Sequence, residues 1–197
     1  MSTRADYSLI AEWVRQGAQV LDLGCGDGGL LAYLREHRRI AGYGVEIDDA
    51  SILACVKNEV SVLQSDLEAG LSGFEDASFD YVILSQTLQA MRHTEEIVLE
   101  MLRVGREVIV TFPNFGYWKH RWQILCGRMP VSEKLPYQWY DTPNIHLCTV
   151  LDFDDFCRKR HLEVMDCRVL HDGRQVSWFP NWFGTLAVYR IRRATTK

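Results

Sequence analysis

The chain has 197 residues, of which 47% are hydrophobic and 24% are charged. This length suits one globular domain over residues 1–197, and the composition excludes a disordered chain, a collagen-like repeat and a small disulfide-stabilised protein. Lys and Arg number 22 and Asp and Glu number 26, so the net charge is −4. This mild charge argues against nucleic acid as the main partner, because that partner needs a basic face.

The cysteines and the first eight residues indicate the cellular compartment of the protein. The six cysteines are scattered without a Cys-x-x-Cys pair, which indicates reduced thiols and predicts no metal site. Residues 1–8 form a polar run rather than a secretory signal, and no 18 apolar residues follow one another. We therefore expect a cytoplasmic protein that is neither exported nor inserted in a membrane.

Apolar runs alternate with helical patterns through the first 112 residues, which is typical of a parallel sheet flanked by helices. Asp48 and Asp49 can cap one helix, whose Ile52, Leu53 and Val56 share a face. A further helix is predicted over 96–103. Strands are predicted over 18–23, 43–47, 60–64, 79–84 and 107–112.

The pattern changes after Pro113. Residues 114–150 contain prolines and aromatics but no strand followed by a helix, so we interpret them as an insertion or cap. Beyond it, Asp152 is a candidate N-cap for a helix, and an Asp172-Gly173 turn separates two strands that can pair antiparallel. That helix is predicted over 153–159, and the strands over 163–170 and 185–192. The sequence thus predicts an α/β fold with a seven-stranded mixed sheet, helices on both faces and an aromatic insertion after strand five.

A glycine-rich segment connects the first strand to the next helix, with the sequence VLDLGCGDGG from residue 20. Glycines let the backbone turn sharply and approach a ligand, and the helix that follows offers unpaired N–H groups. Gly24, Gly26 and Gly29 fit the G-x-G-x-x-G dinucleotide pattern, and Glu46 follows at the usual spacing. The loop alone therefore fits NAD(P), S-adenosyl-L-methionine (SAM) or a relic site that holds no ligand.

Three acidic residues favour SAM. Asp22 precedes Gly24 by two positions, and the resulting D-x-G-x-G-x-G is the form seen in class I SAM-dependent methyltransferases, where this acid lies near the methionine amino group. Glu46 ends the second strand, where it can accept from the ribose hydroxyls. Asp66 follows the third strand, near the expected adenine. We predict S-adenosyl-L-methionine or S-adenosyl-L-homocysteine as the ligand, although Glu46 and Asp66 could also be ordinary strand-end caps. The predicted cofactor-binding residues are Asp22, Gly24, Cys25, Gly26, Gly28, Glu46, Ile47, Asp66, Leu67 and Ser85.

Longer stretches resemble one family. The chain is similar to the MetW family through the segments VLDLGCGDGGLLAYL, YGVEID, SDLEAGL, FDYVILSQTLQ and FPNFGYW, and the similarity covers nearly the whole sequence. The resemblance implies a class I methyltransferase-like fold, a role in methionine biosynthesis and a homoserine O-acyltransferase as partner. It implies no conventional methyl acceptor.

No catalytic residue can be assigned. After the fourth strand, amino-methylating enzymes often carry an Asn/Asp-Pro-Pro-aromatic motif, and this chain has Ser85-Gln86-Thr87-Leu88 instead. Gln86 and Gln89 could line a pocket or satisfy nearby backbone groups. Because methyl transfer needs little beyond in-line positioning, two hypotheses stay open. One is a methyltransferase that acts on a small carboxylate or hydroxyl acceptor, and the other is a module that senses SAM.

Aromatic and basic residues are concentrated between residues 115 and 140, and a second aromatic cluster spans 178–183. Helical spacing predicts that Trp118, Trp122 and Leu125 face inward and that the intervening basic residues, His120 included, face outward. The segment could be a packed cap, a protein interface or a platform for stacking bases. We expect Trp118 and Trp122 to be structural. The candidates for partner contact are Tyr137, Trp139 and Trp182, which prolines assign to loops.

Overall fold

The computed structural model describes residues 5–194 of the chain. The domain predicted over 1–197 extends beyond them at both ends, and residues 1–4 of the segment predicted to lack a secretory signal lie outside them. One eight-stranded sheet runs through the described residues. Its strands are β1 (Gln19–Leu23), β2 (Ala41–Glu46), β3 (Val62–Gln64), β4 (Phe79–Ser85), β5 (Gly105–Pro113), β6 (Leu162–His171), β7 (Arg174–Gln175) and β8 (Leu186–Arg193).

The strand order across the sheet is β3-β2-β1-β4-β5-β8-β6-β7. The first five strands are parallel, and β8 runs antiparallel to both β5 and β6. The antiparallel pairing predicted for the last two strands is therefore confirmed for β6 and β8. The predicted count of seven is one too few, because β7 pairs with the end of β6 across the Asp172-Gly173 turn. A strand of two exposed residues leaves no apolar run for a sequence pattern to detect.

Helices cover both faces of the sheet, as predicted. One apolar cluster joins Ile10 and Leu34 to one face, and a second joins Met101 and Phe153 to the other. Burial on both faces explains why the central strands are nearly continuous apolar runs. The helices are α1 (Ala5–Trp13), α2 (Gly29–Arg38), α3 (Asp49–Lys57), α4 (Thr94–Val104), α5 (Trp118–Leu125), α6 (Val150–Lys159) and α7 (Pro180–Phe183). Within residues 5–194, none combines the length and apolar character needed to cross a membrane.

One predicted detail is wrong in α3 and one in α6. In α3, Cys55 is the buried residue, whereas Leu53 and Val56 are exposed. The N-cap of α6 is Thr149, whose Oγ1 accepts from the backbone N–H of Asp152, and the Asp152 carboxylate accepts from the Thr149 N–H in return. This reciprocal capping box begins the helix three residues earlier than predicted. The prediction that Asp48 caps α3 is confirmed.

The insertion after β5 is held at both ends by Asn114, a buried amide. Its Nδ2 donates to the carbonyls of Asn181 at 3.2 Å and Gly184 at 2.8 Å. Its Oδ1 accepts from the backbone N–H of Gly116 at 3.0 Å and of Val150 at 3.3 Å. One satisfied amide thus joins the insertion to the segment around α7, and losing it would leave several buried backbone groups without partners.

In helix α5, inside the insertion, the prediction is confirmed for the exposed Lys119 but wrong for His120 and for the apolar residues. His120 is buried, while Trp118, Trp122 and Leu125 are 39%, 63% and 79% exposed. The His120 Nε2 atom lies 2.9 Å from Ser132 Oγ, so the imidazole has a polar partner inside the insertion. The row of Trp118, Trp122 and Leu125 that the spacing predicted to face inward is therefore on the exposed side of the helix.

Candidate functional site

The strands that carry the predicted site end level with one another. The register pairs Leu23 of β1 with Val45 of β2 and with Leu84 of β4, and it pairs Glu46 of β2 with Gln64 of β3. The loops that follow these strands therefore meet at one edge, at the carboxyl ends where open α/β sheets bind ligands. All ten predicted cofactor-binding residues lie in these strands or in the loops that follow them.

The glycine loop between β1 and α2 is fixed to β2 by its backbone. The N–H groups of Gly24 and Cys25 donate to the carbonyl of Val45, at 2.8 and 3.2 Å. A Cβ on Gly24 would lie 2.8 Å from Thr87 Oγ1, so this glycine allows close packing. Both glycines have a positive φ, but Gly26 differs because a Cβ there would meet none of the described atoms within 4 Å. The space in front of Gly26 is open for the close approach of a ligand.

Two thiols lie beneath this loop. The Sγ atoms of Cys25 and Cys55 are 3.7 Å apart, and Cys55 Sγ donates to the carbonyl of Gly26 at 3.1 Å. Burial raises the pKa of both thiols. Gly28, the buried N-cap of α2, lies close to Cys55 as well. The side chain of Cys25 therefore packs against the interior, and its backbone carbonyl accepts from the N–H of Gly28 at 3.0 Å.

Glu46 connects the end of β2 to the glycine loop. Its Oε2 accepts from the backbone N–H of Gly26 at 2.8 Å. Its Oε1 accepts from the N–H groups of Ile47 at 2.8 Å and Asp48 at 3.1 Å. The Ile47 side chain is exposed beside this carboxylate. The geometry orients an acidic group beside the open space at Gly26.

The other predicted residues border the same edge. Asp22 is buried in β1, and Ser85 is the last residue of β4. Asp66 is exposed, and its Oδ1 accepts from the N–H of Glu68 at 2.9 Å, so it caps the short turn that begins at Leu67. This contact agrees with the strand-end cap considered as the alternative for Asp66, and it leaves the carboxylate accessible to solvent.

Sequence reasoning did not select three residues near Ser85. Asp6 of α1 is buried, and its Oδ2 lies 3.5 Å from Ser85 Oγ and 3.3 Å from Gln86 Nε2. Thr111 Oγ1 accepts from the Gln86 N–H at 2.9 Å, and Thr87 contacts the glycine loop. The sequence signal for Asp6 is its position one turn before the apolar residues Leu9 and Ile10 of α1, a helix that is absent from the sequence prediction.

Gln89 satisfies nearby backbone, as one of the two hypotheses for it expected. Its Nε2 donates to the Gln86 carbonyl at 2.6 Å. Its own backbone carbonyl accepts from the N–H groups of Ile145 and His146, at 2.8 and 3.0 Å. The turn that follows β4 is therefore bonded to the end of the insertion.

A group of exposed tryptophans covers α5 and α7. Trp118, Trp122 and Trp182 are all exposed, and the Arg121 guanidinium lies 4.8 Å from the centre of the Trp182 ring. These four residues are called the tryptophan surface below. Trp139 and Tyr137 are also exposed, at 73% and 46%.

One family model matches residues 4–191 and is described as "Methionine biosynthesis protein MetW". The bifunctional methionine biosynthesis protein MetXA/MetW of Rhodopirellula baltica is 38% identical over 185 residues, which are 89% of this chain and 30% of that protein. A phthiotriol/phenolphthiotriol dimycocerosates methyltransferase of Mycobacterium tuberculosis is 32% identical over 95 residues, which are 46% of this chain and 34% of that one. The chain thus spans about a third of the length of these curated relatives.

Solved structures share the fold at low identity. A SAM-dependent methyltransferase of Archaeoglobus fulgidus has a TM-score of 0.72 at 15% identity, covering 96% of this chain and 92% of that one. A SAM-dependent methyltransferase of Thermotoga maritima, a possible histamine N-methyltransferase, has a TM-score of 0.70 at 18% identity, covering 96% and 88%. The [4+2]-cyclase SpnF has a TM-score of 0.68 at 18% identity, covering 96% and 81%. One fold thus serves different reactions, so the likeness shows architecture alone.

The predicted class I methyltransferase fold is confirmed by these structures, with eight strands in place of seven. The family match extends over both the glycine loop and the aromatic insertion, so it covers the site as well as the core. The chain belongs to the MetW family of methionine biosynthesis proteins.

Proposed function

We propose that this chain binds S-adenosyl-L-methionine or S-adenosyl-L-homocysteine at the carboxyl ends of β1 to β4. We further propose that it acts in L-methionine biosynthesis together with a homoserine O-acyltransferase. The observation that carries the first part is the open space at Gly26, which the carboxylate of Glu46 borders. An adenosine ligand needs acceptors for its ribose hydroxyls and its adenine amino group.

We assign one polar group of the ligand to each of three acids at the strand ends. Asp22 would accept from the methionine amino group, Glu46 from the ribose hydroxyls and Asp66 from the adenine amino group. A carboxylate that accepts from a ligand forms a charge-assisted bond, stronger than a neutral one. The remaining proposed contacts are Gly24, Cys25, Gly26, Gly28, Ile47, Leu67 and Ser85.

The partner proposal rests on the relative from Rhodopirellula baltica, whose name joins MetXA and MetW in one polypeptide. We infer that the MetXA part corresponds to the homoserine O-acyltransferase to which the MetW family is linked. Two activities joined in one chain work at high local concentration, which separate chains achieve by binding each other.

The tryptophan surface is the proposed contact for that partner. Trp and Arg are the residues that most often dominate protein interfaces, and exposed aromatic clusters mark binding sites. The side chain of Asn114 bonds to Gly116, just before α5, and to Asn181 and Gly184, in and just after α7. These bonds hold the two helices that carry the tryptophans. This assignment differs from the expectation that Trp118 and Trp122 are structural.

A second candidate is a methyltransferase that acts on a small carboxylate or hydroxyl acceptor. The fold shared with SAM-dependent methyltransferases supports it, and the missing amino-acceptor motif after β4 supports oxygen rather than nitrogen as the methylated atom. We also propose a cytoplasmic location, which six free thiols support because they require a reducing compartment.

Calorimetry on the purified full chain tests the cofactor. We expect saturable binding of SAM or S-adenosyl-L-homocysteine and none of NAD, and a chain that binds neither adenosyl ligand overturns this proposal. Capture of the homoserine O-acyltransferase of the same organism tests the partner, and failure of the wild-type chain to capture it removes that part. Incubation with methyl-labelled SAM and cell extract separates the two candidates, because label transfer supports the methyltransferase and binding without transfer supports the non-catalytic role.

A further inference from the structure

The two thiols beneath the glycine loop are close enough to react with each other. Cys25 belongs to the loop and Cys55 to α3, and their Sγ atoms lie 3.7 Å apart. A disulfide bond has a sulfur–sulfur distance of about 2 Å, so each sulfur has to move by only about 1 Å to form one. The pair could therefore join two segments that are 30 positions apart in the chain.

Glycines on two sides leave the space in which the sulfurs lie. A Cβ on Gly44 of β2 would clash with the Sγ atom of Cys25. A Cβ on Gly28 would lie 3.1 Å from the Sγ atom of Cys55. Larger residues at these two positions would displace the thiols, so the glycines allow the sulfurs to approach each other.

The same thiol pair supports the loop at the proposed ligand site. Cys55 Sγ donates to the carbonyl of Gly26 at 3.1 Å, and Gly26 borders the open space proposed for the ligand. A disulfide sulfur carries no hydrogen, so oxidation removes this donor and draws Cys25 toward α3. Because Cys25 and Gly26 are adjacent in the chain, the loop changes shape where SAM would approach.

The closed loop protects the two thiols from oxidants. Cys25 is 8% exposed and Cys55 is fully buried. Burial raises the pKa of both thiols, and oxidants react with the thiolate rather than with the thiol. An opened loop would expose thiols with an ordinary pKa of about 8.5. Bound SAM would hold the loop closed, so ligand binding and oxidation should oppose each other.

We propose that Cys25 and Cys55 form an oxidative modification site, at which hydrogen peroxide converts the two thiols into a disulfide that weakens SAM binding. One sulfur attacks a peroxide oxygen, the O–O bond breaks, and a sulfenic acid and one water form. The second thiol then displaces the sulfenic hydroxyl as a second water, so the two sulfurs supply the two electrons that the peroxide takes up. A cellular thiol can reduce the disulfide again, as is usual for redox-sensing bonds in the cytosol. The effect on SAM rests on the proposed function, whereas the crosslink does not.

Mass spectrometry and calorimetry on the purified full chain test both parts. The protein is treated with hydrogen peroxide, the free thiols are blocked, and the digest is searched for a disulfide between residues 25 and 55. We expect this crosslink to form about tenfold more slowly when SAM is present at about ten times its Kd. After removal of the peroxide, the crosslinked chain should bind SAM about tenfold more weakly, the equivalent of one hydrogen bond. Dithiothreitol should restore the affinity.

Two variants identify the thiols that are responsible. Cys55→Ser keeps a hydroxyl donor for the Gly26 carbonyl but cannot form the disulfide, so peroxide should not change its affinity for SAM. Cys126→Ser removes an exposed thiol and should respond to peroxide as the wild type does.

Three results would overturn the proposal: no crosslink between residues 25 and 55, a crosslinked chain that binds SAM as tightly as the reduced chain, or a Cys55→Ser variant that loses affinity as the wild type does. A chain that forms the crosslink but binds no SAM even when reduced would refute the proposed cofactor and support the modification site.

Discussion

The carboxylate of Glu46 accepts a 2.8 Å hydrogen bond from the backbone N–H of Gly26, a residue 20 positions earlier in the chain. Through this bond the end of β2 fixes the glycine loop, and the same carboxylate is the proposed acceptor for the ribose. The shape of the loop and the contact to the ligand therefore depend on one side chain.

Replacing this carboxylate tests both roles. Glu46→Ala should weaken SAM binding about ten- to a hundredfold, because charge-assisted bonds worth about 1.5 to 3 kcal/mol are lost. Calorimetry gives the affinity, and thermal melting shows whether the protein still folds. Glu36→Ala, an exposed acid on α2, is the control and should bind normally. Equal affinity for Glu46→Ala and the wild type would remove Glu46 from the site.

Gly26→Val tests the open space in front of the loop. The substitution should abolish SAM binding, because the new side chain occupies the space proposed for the ligand, and the positive φ should lower stability by about 1 to 2 kcal/mol. Gly127→Val is a matched control, since Gly127 also has a positive φ and open surroundings but lies after α5. It should show the same loss of stability and normal SAM binding. Normal binding by folded Gly26→Val would mean that the ligand lies elsewhere.

The tryptophan surface should be dispensable for folding. Trp122→Ala should keep the free energy of unfolding within about 0.5 kcal/mol of wild type and weaken the acyltransferase complex by about 2 kcal/mol or more. Trp13→Ala is the contrasting control, because Trp13, the last residue of α1, is buried and its loss should cost about 3 to 5 kcal/mol of stability. Denaturation and pull-down are run on the same samples. If well-folded alanine variants of Trp118, Trp122, Trp182, Tyr137 and Trp139 all captured the partner at wild-type affinity, the aromatic surfaces would have no part in the complex.

The buried imidazole of His120 should make the free energy of unfolding depend on pH. Burial lowers the pKa of His120 below its ordinary value, so the unfolded chain takes up a proton there at a pH where the folded chain does not. The stability it contributes is complete above the unfolded pKa of about 6.5 and is lost as the pH falls toward the folded pKa. Urea unfolding at about pH 7.5 and about pH 5.5 should show a larger loss for wild type than for His120→Gln. An equal loss in both proteins would contradict a buried neutral His120.

The thiols should react in the order of their exposure. Burial raises the pKa of Cys148 and of Cys157 to about 12, so neither forms a thiolate readily at neutral pH. Cys126 is exposed on the insertion. Mass spectrometry after brief iodoacetamide treatment should therefore find Cys126 modified first, while urea-unfolded protein should take up label at all six cysteines. Early modification of Cys157 in the folded protein would show that α6 opens more easily than its packing indicates.

The sequence predicted those parts of the fold in which a single local requirement, such as burial or backbone conformation, determines the residue type. Strands buried on both faces need continuous apolar runs, and β1, β4 and β5 show them. The glycine loop was visible because a positive φ at Gly26 strongly favours glycine. The glycine loop and the strand ends also predict a cofactor site at one edge of the sheet, and that site remains a prediction.

The parts that the sequence did not predict depend on long-range partners. In α5 the buried residue is His120, which bonds to Ser132. The spacing of residues along the helix does not show that a histidine is buried while a tryptophan is exposed. Asn114 links both ends of the insertion to α7, but in sequence it is an ordinary polar residue after a strand. Asp6 approaches Ser85 across 79 positions, which helical spacing cannot reveal.

The exposed tryptophans also bear on the amount of this chain that is made relative to its proposed partner. Five indole rings are exposed to solvent, those of Trp118, Trp122, Trp139, Trp178 and Trp182, and exposed apolar surface favours self-association. If the proposed partner covers the tryptophan surface, we expect production of the two proteins in matched amounts to limit this self-association. A polypeptide that joins both parts, as the name of the Rhodopirellula baltica relative describes, fixes their ratio at one to one.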